Sequence, residues 1–441
     1  MKYAVFSLAA IGVFPLAFAL SANRRWMKYA IWAMIAALAL FQATSINFFS
    51  HEDYRGSSRG MEVSLAYLMA LALVLAAAVR GRFPGFLPSA GMKLYAAYFL
   101  LCLPSWTSAE NLLFCWMETW KMLMMYLVYL GVRSYLAATD GAGHLVKALA
   151  FFAIWNFLAV VKEHFCGVYQ PEGVFPHQNS MVMAMHLFGG LFFALYAARG
   201  WRSARLAAIA FAASAAAGVR SYSRAAIALM PLSYALAALL LWWKGSGAGF
   251  PRLLKRLAPF AAAGFAALML MLPRIIERFE TAPEASGATR VELARCAVEM
   301  MRDEPWRGVG VNNWGIKINP PWEYAEAAGR TRTRGEDFKD GIVETVYLLV
   351  GAECGIPALV LMVLWLLHYL VLSLRLVWRL APSTACCVAA GLAGGLLACY
   401  AQSCLEWVLR QQTNLALLML FFALLDHLNA HWREYAAGKN D

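Results

Sequence analysis

The chain has 441 residues, 61% of them apolar, with a formal charge of +12 and a mean hydropathy of +0.56. That apolar content exceeds what a water-soluble fold of this length carries, so soluble classes are excluded and the chain reads as an all-α polytopic membrane protein. The basic excess is topological: the longest polar stretch, residues 273–343, holds eleven Lys/Arg against twelve Asp/Glu, which argues against a nucleic-acid partner.

Apolar runs long enough to cross about 30 Å of hydrocarbon as helices fall at 2–20, 29–47, 62–80, 93–106, 112–133, 145–162, 180–198, 205–220, 225–243, 258–273, 344–370, 383–408 and 411–427, twelve or thirteen spans in all. The first could pass for a signal peptide, since Lys2 precedes it and Ala17-Phe18-Ala19 fits a cleavage site. Its main positive charge follows the run instead, at Arg24, Arg25 and Lys28, so a retained helix is expected. Nearly every second connection is basic, including Arg80 and Arg82, Arg199 and Arg202, Lys244 and Arg252, and Arg375 and Arg379. Those loops are assigned to the cytoplasm, which puts loops 48–61, 163–179, 221–224 and 273–343 outside. The domain reading is spans 1–10 in residues 1–272, an external loop domain in 273–343, spans 11–13 in 344–427 and a cytoplasmic tail in 428–441.

Within the external loop, Val291, Ala294, Val298 and Met301 fall on one face of an expected amphipathic helix, with Thr289 as its N-cap. Gly308-Val309-Gly310-Val311-Asn312-Asn313 reads as a flexible turn where backbone can approach a ligand. Cys166 and Cys296 are the two cysteines on the external side, and a disulfide between them is the less favoured reading. Trp306, Trp314 and Trp322 could stack on sugars or sit at the membrane interface. Neither a Cys/His cluster at zinc spacing nor an Asp-x-Asp pair for a divalent metal occurs.

Arginines next to the external boundary carry the chemical signal. Arg220 and Arg224, in Gly218-Val219-Arg220-Ser221-Tyr222-Ser223-Arg224, join two apolar segments, where a cation is costly unless an anion compensates it. Guanidinium stays charged and donates two parallel hydrogen bonds, which suits a diphosphate. For any one of them the plainer reading is a headgroup contact or an ion pair; Arg330, Arg332 and Arg334 read as a solvated run. Glu52, Asp53, Arg55 and Arg59 read as an internally paired cluster, and Glu406 either lines a polar cavity or pairs with Arg410.

Four ordered segments resemble those of the O-antigen ligase and polymerase superfamily. They are Gly173-Val174-Phe175-Pro176-His177-Gln178-Asn179, Ser223-Arg224-Ala225-Ala226, Arg290 followed by Asp303-Glu304-Pro305-Trp306-Arg307-Gly308-Val309-Gly310, and Glu344-Thr345-Val346-Tyr347-Leu348 ending at Glu353-Cys354-Gly355-Ile356-Pro357. The agreement runs from about residue 170 to 370. It implies a bacterial inner-membrane glycosyltransferase, without metal or cofactor, that moves a glycan from a polyprenyl-diphosphate carrier to an acceptor hydroxyl at the periplasmic face and works among membrane lipid and other polysaccharide assembly proteins. The implied catalytic residues are Arg224, Arg290 and Glu344, with Arg220, His177, Asn179, Tyr347, Arg307 and Trp306 binding substrate. One departure matters: Glu344 stands where the family motif has histidine. The reading therefore leans to a polysaccharide polymerase over a ligase to lipid A core or a protein O-glycosylating enzyme, with a transporter or flippase of lipid-linked glycans as the rival class.

Overall fold

The computed structural model describes residues 2–51, 53–245, 284–329 and 341–436, together with scattered positions between 251 and 276. The expected span at 258–273 is described only in part, and the arginine run at 330–334 and Glu52 lie outside the described residues.

The chain is a helical bundle. It opens with α1 (Lys2–Ala22), α2 (Arg24–Ala39) and the single turn α3 (Phe41–Thr44), and after a hairpin continues with α4 (Leu65–Val79), α5 (Ala90–Cys102), α6 (Leu112–Ala138) and α7 (Ala142–Phe165). There follow α8 (Gln178–Arg199), α9 (Arg205–Arg220), α10 (Arg224–Trp243) and, in the long polar loop, α11 (Glu284–Asp303), α12 (Trp314–Lys317) and α13 (Tyr324–Ala327). The last part comprises α14 (Val346–Arg379), α15 (Thr384–Gln402), α16 (Gln412–Ala430) and the short α17 (Trp432–Ala436). Six of these, α7, α8, α10, α14, α15 and α16, are each long and apolar enough to cross a membrane. The other expected spans up to residue 220 also form helices of the bundle, α2, α4, α5 and α9 being shorter and α6 carrying Glu118, Lys121 and Arg133.

Two boundaries differ from expectation. The second span ends before an antiparallel hairpin of β1 (Ser45–Ser50) and β2 (Gly60–Ser64), the only strands among the described residues. The span expected at 383–408 stops at Gln402, and residues 403–411 form a polar turn.

The basic loops share one end of the bundle. Arg80 donates to the Ser21 carbonyl at 2.6 Å, Arg256 to the carbonyls of Ala197 and Ala198 at 2.8 and 2.6 Å, and Lys244 to that of Trp378 at 2.7 Å. At the centre, α8 is buried at every position from Ser180 to Ala198. It packs on α15 through glycine: a Cβ on Gly190 would meet the Gly391 carbonyl oxygen at 2.5 Å, and one on Gly391 would meet that of Gly190 at 2.4 Å. Small residues that let backbones touch are how helices associate where lipid supplies no hydrophobic drive.

The polar segment ahead of α14 docks on a break in that helix. Gly355 has φ +84° and Pro357 lacks an N–H, so the carbonyls of Ala352 and Glu353 lose their helical donors. Val309 and Gly310 supply N–H groups to them at 2.9 and 3.1 Å, and Ile356 donates to the Pro305 carbonyl at 2.8 Å. The Gly308–Asn313 stretch, expected as a mobile ligand turn, is therefore a buried splice between two of the resembling segments. Helix α11 starts before Thr289 and buries Leu293, Cys296, Ala297 and Met300 against Leu349 and Ala352 of α14. Val291, on the face expected to be buried, is 52% exposed. Cys166 is exposed and Cys296 buried, and both are thiols.

Candidate functional site

A cavity of about 890 Å³ opens at the end of the bundle opposite the basic loops. Its volume lies in the range of sites that bury a sizeable ligand. It forms where the starts of α8, α10, α14 and α16 converge, so the positive ends of four helix dipoles face one space.

Each wall follows from local sequence. His177 caps α8 by accepting at Nδ1 from the Asn179 N–H at 3.1 Å, which turns Asn179 inward. Tyr222, in the left-handed region at φ 52°, closes the turn from α9 to α10, and the Ser221 hydroxyl accepts from the Ser223 N–H at 3.1 Å. That turn places Arg224 at the first position of α10, on the cavity. Thr289, Arg290 and Leu293 come from α11, Glu344 from the residues just before α14, and Glu406 and Gln411 from the turn before α16. Hairpin residues Ser57, Ser58, Arg59 and Glu62 form the far wall.

The charged groups form one network. Arg290 is ion-paired through Nε to Glu344, both about one-third exposed, and its Nη2 lies 3.6 Å from Glu406 Oε1. Asn179 donates through Nδ2 to the same Glu406 oxygen at 2.6 Å, while the Ser223 hydroxyl donates to Asn179 Oδ1 at 3.3 Å. Burial pushes the Glu344 carboxyl above its ordinary range, against the pull of Arg290 and Arg224. Glu406 goes further, to about 7, because burial and the neighbouring Glu344 charge outweigh the same two arginines. Burial also lowers the His177 imidazole and raises Glu62, the latter against the pull of Lys121 and Gln412.

Beneath this wall lies a buried ion cluster that sequence reasoning missed. Arg410 Nη1 meets Glu353 Oε2 at 2.6 Å and Nη2 meets Glu118 Oε1 at 2.8 Å, while Lys121 Nζ meets Glu118 Oε2 at 2.7 Å. Both Ser57 and Ser58 donate hydroxyls to Glu118 Oε2 at 2.8 Å, so the cluster carries the cavity's hairpin wall. Two acids and two bases cancel, which is what lets such charges stay buried. The signal was an ionisable i, i+3 pair, Glu118 and Lys121, inside an apolar segment. Arg410 thus turns away from Glu406, contrary to the pairing considered from sequence.

Of the expected site residues, Arg224, Arg290, Glu344, His177 and Asn179 line this one cavity and the others do not. Arg220 is turned back onto the His164 ring and the Tyr169 carbonyl at 3.0 Å, with its guanidinium over Tyr222. Tyr347 donates to the Tyr400 carbonyl at 3.1 Å. Arg307 pairs with Glu304 at 3.0 Å, and the Trp306 ring is 79% exposed. Trp314 is a core residue that donates to the Gly341 carbonyl at 2.6 Å, and Trp322 sits under Lys317. No group of three or more His, Cys, Asp or Glu side chains that could hold a metal occurs among the described residues.

The fold and its cavity can be set beside known families. No curated protein matches the chain. Residues 209–363 match the family model described as O-Antigen ligase, a stretch that contains Arg224, Arg290 and Glu344 but ends before Glu406. That match covers 155 of the 441 residues, over the segment that builds the arginine wall of the cavity, and supports the resemblance to the O-antigen ligase and polymerase superfamily.

Proposed function

We propose that the chain transfers a glycan from a polyprenyl-diphosphate carrier to an acceptor hydroxyl at the periplasmic face of a bacterial inner membrane, and that it polymerises a surface or secreted polysaccharide. The observation that carries this reading is the convergence of Arg224, Arg290 and Glu344, far apart in sequence, on one cavity at the start of four helices. Two guanidinium groups and helix N-termini suit a diphosphate, and a carboxylate beside them suits a hydroxyl.

In this mechanism Arg224 and Arg290 hold the diphosphate and stabilise the charge that grows on it as the anomeric C–O bond breaks. Glu344 takes the proton of the acceptor hydroxyl as its oxygen bonds to the anomeric carbon from the opposite side, so the configuration inverts. Glu344 can do this because burial has raised its basicity above that of a surface carboxylate. A ligase would share the whole donor half of this scheme, and the choice of a polymerase rests on the glutamate that replaces the family histidine.

The test is incubation of purified protein with a polyprenyl-diphosphate-linked repeat unit in EDTA. Carrier-linked oligomers are the expected product. Transfer only to a lipid A core acceptor would make the chain a ligase, and binding of the lipid without turnover of any acceptor would favour the transporter reading.

A further inference from the structure

Glu406 lies outside the family match and outside every resembling segment, yet it is the more buried of the two carboxylates on the arginine wall, 13% exposed against 34% for Glu344. Its position is fixed from both sides. The Ser223 hydroxyl donates to Asn179 Oδ1, so Asn179 presents its Nδ2–H to Glu406, and Glu406 Oε1 accepts from Asn179 while it faces Arg290. The second oxygen is then the one able to carry a proton.

The charge balance around it changes when a donor enters. Glu344 and Glu406 face Arg290 and Arg224, Arg59 and Glu62 both line the hairpin wall with Glu62 drawn to Lys121 and Gln412, and His177 from the start of α8 is kept neutral by burial. A diphosphate diester brings two negative charges into this balanced space. Like charges in a partly dry site cannot all stay ionised, and the most buried acid yields first.

Resting on the reading above, we propose that Glu406 is a proton-carrying ligand of the donor's diphosphate: it takes one proton from solvent as the diphosphate enters, and its carboxyl O–H then donates to a phosphate oxygen. Glu344, more exposed and in direct contact with Arg290, stays ionised and free to act as base. The two carboxylates are thereby driven to opposite roles by their surroundings. The proton held by Glu406 also offsets charge on the diphosphate as it leaves, which a permanently charged carboxylate at that place would oppose.

The experiment is calorimetric binding of a soluble P1,P2-dialkyl diphosphate to the detergent-purified full chain, repeated in buffers of different ionisation enthalpy near pH 8. A diester has no proton to exchange at that pH, so any uptake belongs to the protein. Wild type is expected to take up close to one proton, with affinity falling as pH rises above about 7, by up to about tenfold per unit. Glu406→Gln is expected to bind the diester without uptake and with affinity flat in pH, and His177→Asn to keep the uptake. Binding by wild type without uptake, uptake that persists in Glu406→Gln, or uptake lost in His177→Asn overturns the role of Glu406 while leaving the diphosphate site standing. Absence of diester binding by folded wild type overturns both.

Discussion

Arg290 of α11 and Glu344 just before α14 form an ion pair on the wall of the cavity, each about one-third exposed. In the proposed mechanism the pair joins the two functional halves of the site: a cation that grips an anion and a carboxylate that removes a proton.

If Glu344 is the base, its ionised form is the active one, and kcat at saturating donor rises with pH through the carboxyl's raised value and then levels off. Glu344→Gln should lower kcat by about 10²- to 10⁴-fold and remove that acid limb. Glu344→His, which restores the family motif's residue, should recover part of the rate with the limb at the imidazole's own position. A pH–rate profile of the three proteins checks this, and an unchanged limb in Glu344→Gln would assign the base elsewhere.

Glu406 links the site to stability. Its carboxyl is raised from 4.5 to about 7 in the folded chain, so between those values the folded state holds more protons than the unfolded one. Its contribution to stability is full below about 4.5 and is lost as pH rises through about 7. Thermal unfolding in detergent should show the wild-type midpoint falling over that window, and Glu406→Gln should flatten the fall.

Arg410 holds Glu118 and Glu353 where neither is more than 2% exposed. Arg410→Ala leaves two buried carboxylates with Lys121 alone and should cost about 3–5 kcal/mol. Arg410→Met combined with Glu353→Gln keeps the Glu118–Lys121 pair, removes the stranded charge and should recover much of the loss. Chemical or thermal unfolding of the two variants measures the difference.

At Gly355, a Cβ would meet the Trp306 carbonyl carbon at 2.5 Å on a backbone held at φ +84°. Gly355→Ala should therefore loosen the splice between α14 and the polar segment ahead of it, at a cost of about 1–3 kcal/mol. Protease sensitivity should rise in 284–329 before the bundle unfolds.

Arg220, Arg307, Trp306 and Tyr347 stand off the cavity wall. Arg307→Ala, Trp306→Ala and Tyr347→Phe should each leave donor KM and kcat within about threefold, the usual span of surface changes away from a site. A tenfold loss in any of them would extend the site beyond this cavity.

The helices were legible because lipid imposes a length and an apolar composition: α8, α9, α10 and α16 begin within two residues of their expected positions. The same logic missed the hairpin, since Ser45–Ser50 is as apolar as the helix before it. It misplaced the buried face of α11 because two apolar stripes run along that helix, and docking on Leu349 and Ala352 decides between them. Arg224, Arg290 and Glu344 were found through family-like segments. From sequence Glu406 reads as lining a polar cavity or pairing with Arg410, and the first reading is the one the structure bears out; its partners, Asn179 and Arg290, are 227 and 116 positions away, beyond the reach of local pattern.

The most direct test of the account is the rate of carrier-linked oligomer formation by Arg290→Ala, beside wild type and with folding checked by its unfolding midpoint. The account predicts folded protein whose rate is down by about 10²-fold or more, the scale of losing one charge-stabilising donor. A folded Arg290→Ala protein that polymerises within a few-fold of wild type would contradict it.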